Sequence, residues 1–217
     1  MSRIAPLSGV LAVVLLESGL FSDPTPWVGA PTDEVTQWFG EHSNAVWLTS
    51  ATLIAVSSLV YAVFTAVLTE RFAVAGASVR ARSLLQGAGY TYSALVLVGA
   101  GLYAAPAVTE VFGGAAPITA DVYRGLFGLY NGVLDVFAPF AALLLAVTAA
   151  VTSFRVPVLP RWLAVTSIPL ALLMVTSAVA PQTAVGLWVL LTSITLATRP
   201  VRSAVATTTR SAVAVPA

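Results

Sequence analysis

"NAVWLTSATLIAVSSLVYAVFTAVLT", residues 44–69, runs without a charged side chain for longer than a helix needs to cross a bilayer. About 20 apolar residues at 1.5 Å each match a hydrocarbon layer roughly 30 Å thick. The Leu, Val and Ala are continuous, without the alternation of outward apolar and inward polar residues that marks a barrel strand. A helix, which satisfies its own backbone groups, is what such a segment adopts in lipid.

Working outward, comparable windows fall at about 4–22, 84–106, 122–153, 160–180 and 182–198. The expected fold is therefore all-α: a polytopic bundle of six transmembrane helices over residues 1–198, followed by a flexible cytoplasmic tail at 199–217. Composition agrees, since 58% of the 217 residues are hydrophobic and 9% charged, and the mean hydropathy is +0.92. Soluble domains are near a quarter charged.

Charge then orients the threading. Arg3, the group Arg71, Arg80 and Arg82, the pair Arg155 and Arg161, and the tail residues Arg199, Arg202 and Arg210 all fall on one side. The opposite loops carry Asp23, Asp33, Glu34, Glu41, Glu110 and Asp121, with only Arg124 at the mouth of the fourth span. By the positive-inside rule the arginine side is cytoplasmic, and both termini lie there. Arg3 followed by Ile4–Leu16 also has the make-up of a secretory signal, with "VGA" at 28–30 as a cleavage-like site. Pro31 directly after that site disfavours cleavage, so the segment is expected to stay as the first span.

Two further features refine this threading. Trp27, Trp38 and Trp47 near the outer surface, Trp162 at the inner start of span five and Trp188 in the outer half of span six read as an aromatic belt. In "PTDEVTQWFGEHSN", 31–44, Val35, Trp38, Phe39 and His42 share one helical face, and Asp33, Glu34, Gln37 and Glu41 share the other. This predicts a short interfacial helix in the first outer loop, acting as a connector at the headgroups or as a lid; the connector is the expectation. The short "APQT" at 180–183 makes the last two spans a tight antiparallel hairpin.

"RIAPLSGVLAVVLL" (3–16), "PTDEVTQWFGEHSNAVWLTSATLIAV" (31–56), "LYNGVLD" (129–135) and "LPRWLAV" (159–165) follow in order. With these stretches the chain resembles a family of bacterial, largely actinobacterial, six-helix integral membrane proteins of unknown function. The resemblance implies six helices in a bacterial cytoplasmic membrane and brings no reaction, substrate or catalytic residue.

Several chemistries are excluded by absence. The chain has no cysteine, which removes disulfides, thiolate catalysis and iron–sulfur ligation. It has no lysine for a Schiff base, and one histidine, His42, is too few for a multi-histidine metal or haem site. No cofactor and no metal are expected. A net charge of +1 with no basic patch argues against nucleic acid.

What remains are polar residues inside the apolar windows. Glu17 in the first span and Asp135 in the fourth each carry a carboxyl whose burial in lipid costs about 2.5–3.5 kcal/mol on insertion scales. Both are expected to face the bundle interior. Asn131 and Asp135 are spaced i, i+4, and Gly128 and Gly132 beside them offer a small-residue surface for close helix approach. Arg124 is expected to pair with Glu17, and Gln86, Tyr90 and Tyr92 to add hydrogen bonds. Glu17, Arg124, Tyr130, Asn131 and Asp135 are thus the candidate polar pocket or interhelical cluster.

Three functions fit. The first is a non-enzymatic accessory or structural protein that packs against lipids, a membrane-protein partner or another copy of itself. The second is a small carrier for a solute or proton using the two acids, for which Glu17 and Asp135 sit at matching positions in two three-helix halves. The third is an intramembrane lipid-modifying enzyme, the weakest class because no catalytic motif is present.

Overall fold

The computed structural model describes residues 4–22, 26, 29–41, 44–113, 119–176 and 181–199. Among these every regular element is a helix. A 3-10 turn, Ala5–Leu7, leads into α1 (Ser8–Phe21). Then come α2 (Thr32–Glu41), α3 (Asn44–Val74), α4 (Val79–Gly113), α5 (Ala120–Asn131), α6 (Ala138–Arg155), α7 (Arg161–Thr176) and α8 (Pro181–Thr198). Between α5 and α6 the residues Gly132–Phe137 form a π-helical segment, so Ala120–Arg155 is one continuous rod with a widened turn in its middle.

Local chemistry sets the helix ends. α3 stops at Gly76, whose φ of +92° suits glycine, and the Ala77 N–H donates back to the Phe72 carbonyl at 2.9 Å. Two residues on, Ser78 Oγ accepts from the Ala81 N–H at 3.2 Å and caps the start of α4. The α3–α4 hairpin is thus written into "GAS", 76–78. At the other end of the bundle, Thr119 caps α5 through the Val122 N–H.

Four helices are long and apolar enough to cross a membrane: Asn44–Val74, Val79–Phe112, Ala120–Arg155 and Pro181–Thr198. They overlay the windows expected at 44–69, 84–106, 122–153 and 182–198. The windows at 4–22 and 160–180 hold shorter apolar helices, Ala5–Phe21 and Arg161–Thr176. Expected features at Trp27, His42 and the tail residues 200–217 lie outside the described residues.

The apolar helices close into a ring in chain order. α1 packs on α3, α3 on α4, α4 on α5 and α6, α6 on α7, α7 on α8, and α8 returns to α1. Short connections after α3 and α6 make these neighbours antiparallel. Small residues set the approach: α6 buries Ala138, Ala141, Ala142, Ala146, Ala149 and Ala150, the packing that lipid-embedded helices use in place of a hydrophobic contrast. Gly89 of α4 faces Thr65 of α3 so closely that a Cβ would overlap that side chain, and a Cβ on Gly19 of α1 would sit 3.0 Å from the Ser50 carbonyl of α3. Outside the ring, Leu59, Val63, Leu97, Val98, Phe140 and Leu172 are exposed, an apolar exterior suited to hydrocarbon.

Two expectations are corrected here. Trp47 and Trp188 are buried rather than placed in a belt, and Trp188 donates its indole N–H to Ser167 Oγ at 2.8 Å inside the ring. For Trp188, burial of a large ring with its one donor satisfied outweighs an interface position, and Trp47 is held by ring contacts with Phe39 and Tyr103. Nor does α2 float as a connector. Val35 is fully buried, and Phe39 packs on Trp47 and Tyr123 with ring centroids 5.1 and 5.3 Å away. The aromatic face of α2 is used to close one end of the bundle.

Candidate functional site

The turn that carries Asp135 is set by Pro139. In the π-helical segment each N–H reaches five residues back, as Ala138 does to the Val133 carbonyl. The next donor in that series is Pro139, which has none. The Leu134 carbonyl therefore loses its partner in the middle of the bundle, where an unpaired carbonyl costs about 1–3 kcal/mol. Gln182 of α8 supplies the missing hydrogen: its Nε2 donates to Leu134 O, and its Oε1 accepts from the Tyr92 hydroxyl at 2.8 Å. One buried amide thereby ties α8, α4 and the π segment together. Gln182, placed in a linker by its "APQT" context, is the second residue of α8 and is buried.

The π turn also decides where Asp135 points. The face of the rod that packs on α4 carries Tyr123, Tyr130, Leu134 and Ala138, all buried. Asp135 lies off that face at an exposed position, followed by exposed Val136, Phe137 and Phe140. This corrects the inward placement expected for it. The aromatic and alanine face buries more area than the carboxyl face, and the extra residue of the π turn breaks the α-helical stacking of Asn131 over Asp135. Asn131 is half-buried, and among the described residues no hydrogen bond or ion pair reaches the Asn131 amide or the Asp135 carboxyl. Gly128 and Gly132 do not seat a neighbouring helix either, because a Cβ on each would meet nothing within 4 Å.

Glu17 is placed differently. It is half-buried at the α1–α8 seam, with a carboxyl oxygen 3.3 Å from where a Cβ on Gly186 would sit. Next to this seam a cavity of about 10 Å³ is bounded by Val13 and Leu16 of α1, Tyr61 of α3, Tyr92 of α4 and Val185 and Gly186 of α8. Tyr61 and Tyr92 meet there at a tilt, with centroids 4.5 Å apart, and the buried Tyr61 hydroxyl has no protein partner. That volume holds about one water.

Arg124 does not reach Glu17. Its guanidinium pairs with Asp121 at 3.2 Å and donates to the Ala30 carbonyl at 2.8 Å and to Thr32 Oγ1 at 3.2 Å. Beside it the Tyr123 hydroxyl donates to the Pro26 carbonyl at 2.5 Å. Consecutive residues of α5 thus staple the chain that leads into α2. Tyr130 lies in the aromatic cluster below, its ring 5.2 Å from Tyr103 and 5.3 Å from Phe127.

The five candidate residues therefore occupy four places rather than one pocket: Arg124 at the α2 end, Tyr130 inside the ring, half-buried Asn131 with exposed Asp135 on the π turn, and Glu17 in the α1–α8 seam. Of the expected hydrogen-bonding residues of α4, Tyr92 joins the interior network, Tyr90 is exposed, and Gln86 lines a surface groove. No group of three or more His, Asp or Glu with metal-holding geometry occurs among the described residues. No family model, curated protein or solved structure matches the chain.

Proposed function

We propose that the chain is a six-span protein of a bacterial cytoplasmic membrane, with both termini in the cytoplasm, that works by docking its α5–α6 rod against another membrane component. The observation that carries this reading is the outward position of Asp135, midway along a rod of spanning length and surrounded by Val136, Phe137 and Phe140. A lone carboxyl in hydrocarbon costs about 2.5–3.5 kcal/mol on insertion scales, a cost that a partner helix with a hydrogen-bond donor or a cation at that depth removes. The open glycines Gly128 and Gly132 give such a helix room to approach.

The carrier reading draws on Glu17, Tyr61 and the cavity beside them. A space for about one water takes no solute, and Asp135 does not line it. The enzyme reading has no catalytic motif in the sequence to support it.

A photo-crosslinking amino acid at Val136, with a control at Leu97 on the exposed side of α4, tests the docking reading in native membranes. A discrete protein adduct at Val136 that is absent at Leu97 and lost in Asp135→Asn is the expected result. Lipid adducts alone at both positions sink it.

A further inference from the structure

A second feature lies on the outer side of the α3–α4 hairpin, close to its turn. A groove of about 320 Å³ runs between the two helices, lined by Thr69 and Glu70 of α3 and by Arg82, Ser83 and Gln86 of α4, with Ala66, Ala73 and Val79 as its apolar wall. The volume falls in the range of small-ligand sites, about 300–1,000 Å³. Glu70 is the first charged residue after the uncharged run 44–69, so on a spanning α3 it stands at headgroup level, on the arginine-rich side.

The groove holds one cation and one anion that do not meet. Arg82 is half-buried and its Nε is enclosed without a partner. Among the described residues neither Arg82 nor Glu70 has an ion pair within 4.0 Å. Two opposite charges kept apart across an open groove fit a ligand that carries both signs a few bonds apart. A guanidinium is suited to a phosphate, and a carboxylate to a primary ammonium.

From this we infer that the groove binds the headgroup of a phosphoethanolamine phospholipid in the inner leaflet, with phosphate on Arg82, Ser83 and Gln86 and the ammonium on Glu70. The Thr69 hydroxyl donates its proton to the Thr65 carbonyl at 2.9 Å, which leaves its oxygen free to accept from the same ammonium. A choline headgroup fits poorly, because a quaternary ammonium donates no hydrogen bond and is held by aromatic faces, and no aromatic residue lines the groove. A glycerol headgroup leaves the Glu70 carboxylate without a counter-charge. The inference rests on α3 and α4 crossing the membrane and is independent of what docks at Asp135.

The test is native mass spectrometry of the full chain, released from bilayers holding equal amounts of phosphatidylethanolamine, phosphatidylglycerol and phosphatidylcholine. One phosphatidylethanolamine retained in preference to the others is expected. Glu70→Gln, an isosteric change at an exposed position, is expected to cut that preference about tenfold, the size of one charge-assisted hydrogen bond. Arg82→Gln should reduce retention of both phosphatidylethanolamine and phosphatidylglycerol, with the melting temperature in the same bilayers confirming that each variant is folded. Equal retention of the three lipids, or a preference unchanged in Glu70→Gln, overturns the inference. Displacement of the lipid by water-soluble phosphoethanolamine would make the ligand a soluble compound and overturn the lipid assignment.

Discussion

Glu17 and Asp135 are the same kind of group, each inside an apolar window, and the fold treats them differently. Glu17 rides on a regular helix and is tucked into a seam against a glycine of α8. Asp135 rides on a π turn at an exposed position. The difference lies in the neighbours: Gly186 leaves room for a carboxyl between two backbones, whereas Tyr130, Leu134 and Ala138 claim the inner face of the rod for themselves. A polar residue in an apolar window is thus placed by what competes for the inside, and its own cost of exposure comes second.

The strongest way to break this contrast is at Gln182. Gln182→Leu strips the Leu134 carbonyl and the Tyr92 hydroxyl of their partners, and a loss of roughly 2–4 kcal/mol is expected from two orphaned buried groups, read as thermal unfolding in nanodiscs. Pro139→Ala restores the backbone donor, so in that background the same substitution should cost about 1 kcal/mol less. Equal costs in both backgrounds would show that the π turn does not depend on the missing proline N–H.

A smaller effect compares two glycines. Gly186→Val overfills the seam beside Glu17 and Val13, and should destabilise by about 1–3 kcal/mol, whereas Gly128→Val on the open face should stay within about 0.5 kcal/mol. Similar losses at both sites would mean that the Gly128 face is already packed within the monomer. Next, Arg124→Met removes the ties to Ala30 and Thr32 at a cost of about 1 kcal/mol, with faster amide exchange confined to α2 and the chain entering it. Exchange that spreads through α5 instead would make Arg124 part of the bundle core.

The smallest expected change in stability is at Asp135 itself. Asp135→Asn should alter the melting free energy by no more than about 0.5 kcal/mol, yet abolish crosslinking from Val136, while Glu17→Gln leaves that crosslinking intact. Loss of the adduct in both variants would erase the distinction between the two acids.

Much of the architecture was readable because long apolar runs, such as 44–69 with no charge and 122–153 with two, match helices in lipid. Which way each helix faces was not readable. α3 and α8 are apolar nearly all round, and lipid offers no contrast with a packed interior, so the pattern carries no face. Asp135 was misplaced for that reason. Gln182 was missed because a Pro-Gln pair after a short break looks like a connector, although Pro139, four residues beyond Asp135, signals that the fourth rod lacks a backbone donor. Arg124 was assigned the distant Glu17 rather than the nearby Asp121, and carbonyl acceptors such as that of Ala30 leave no mark on the residue that offers them.

The closure of the ring by α8 against α1 has a consequence for how the protein is made. During synthesis α1 has α3 available early, but its other flank, including the seam that receives Glu17, is completed only when α8 arrives. Roughly 170 residues of chain separate Glu17 from Gly186, which at about 5–20 residues per second is on the order of ten to thirty seconds of synthesis. Through that interval Glu17 waits half-covered. A stop codon before α8 therefore also leaves α1, made long before it, without one of its two flanks.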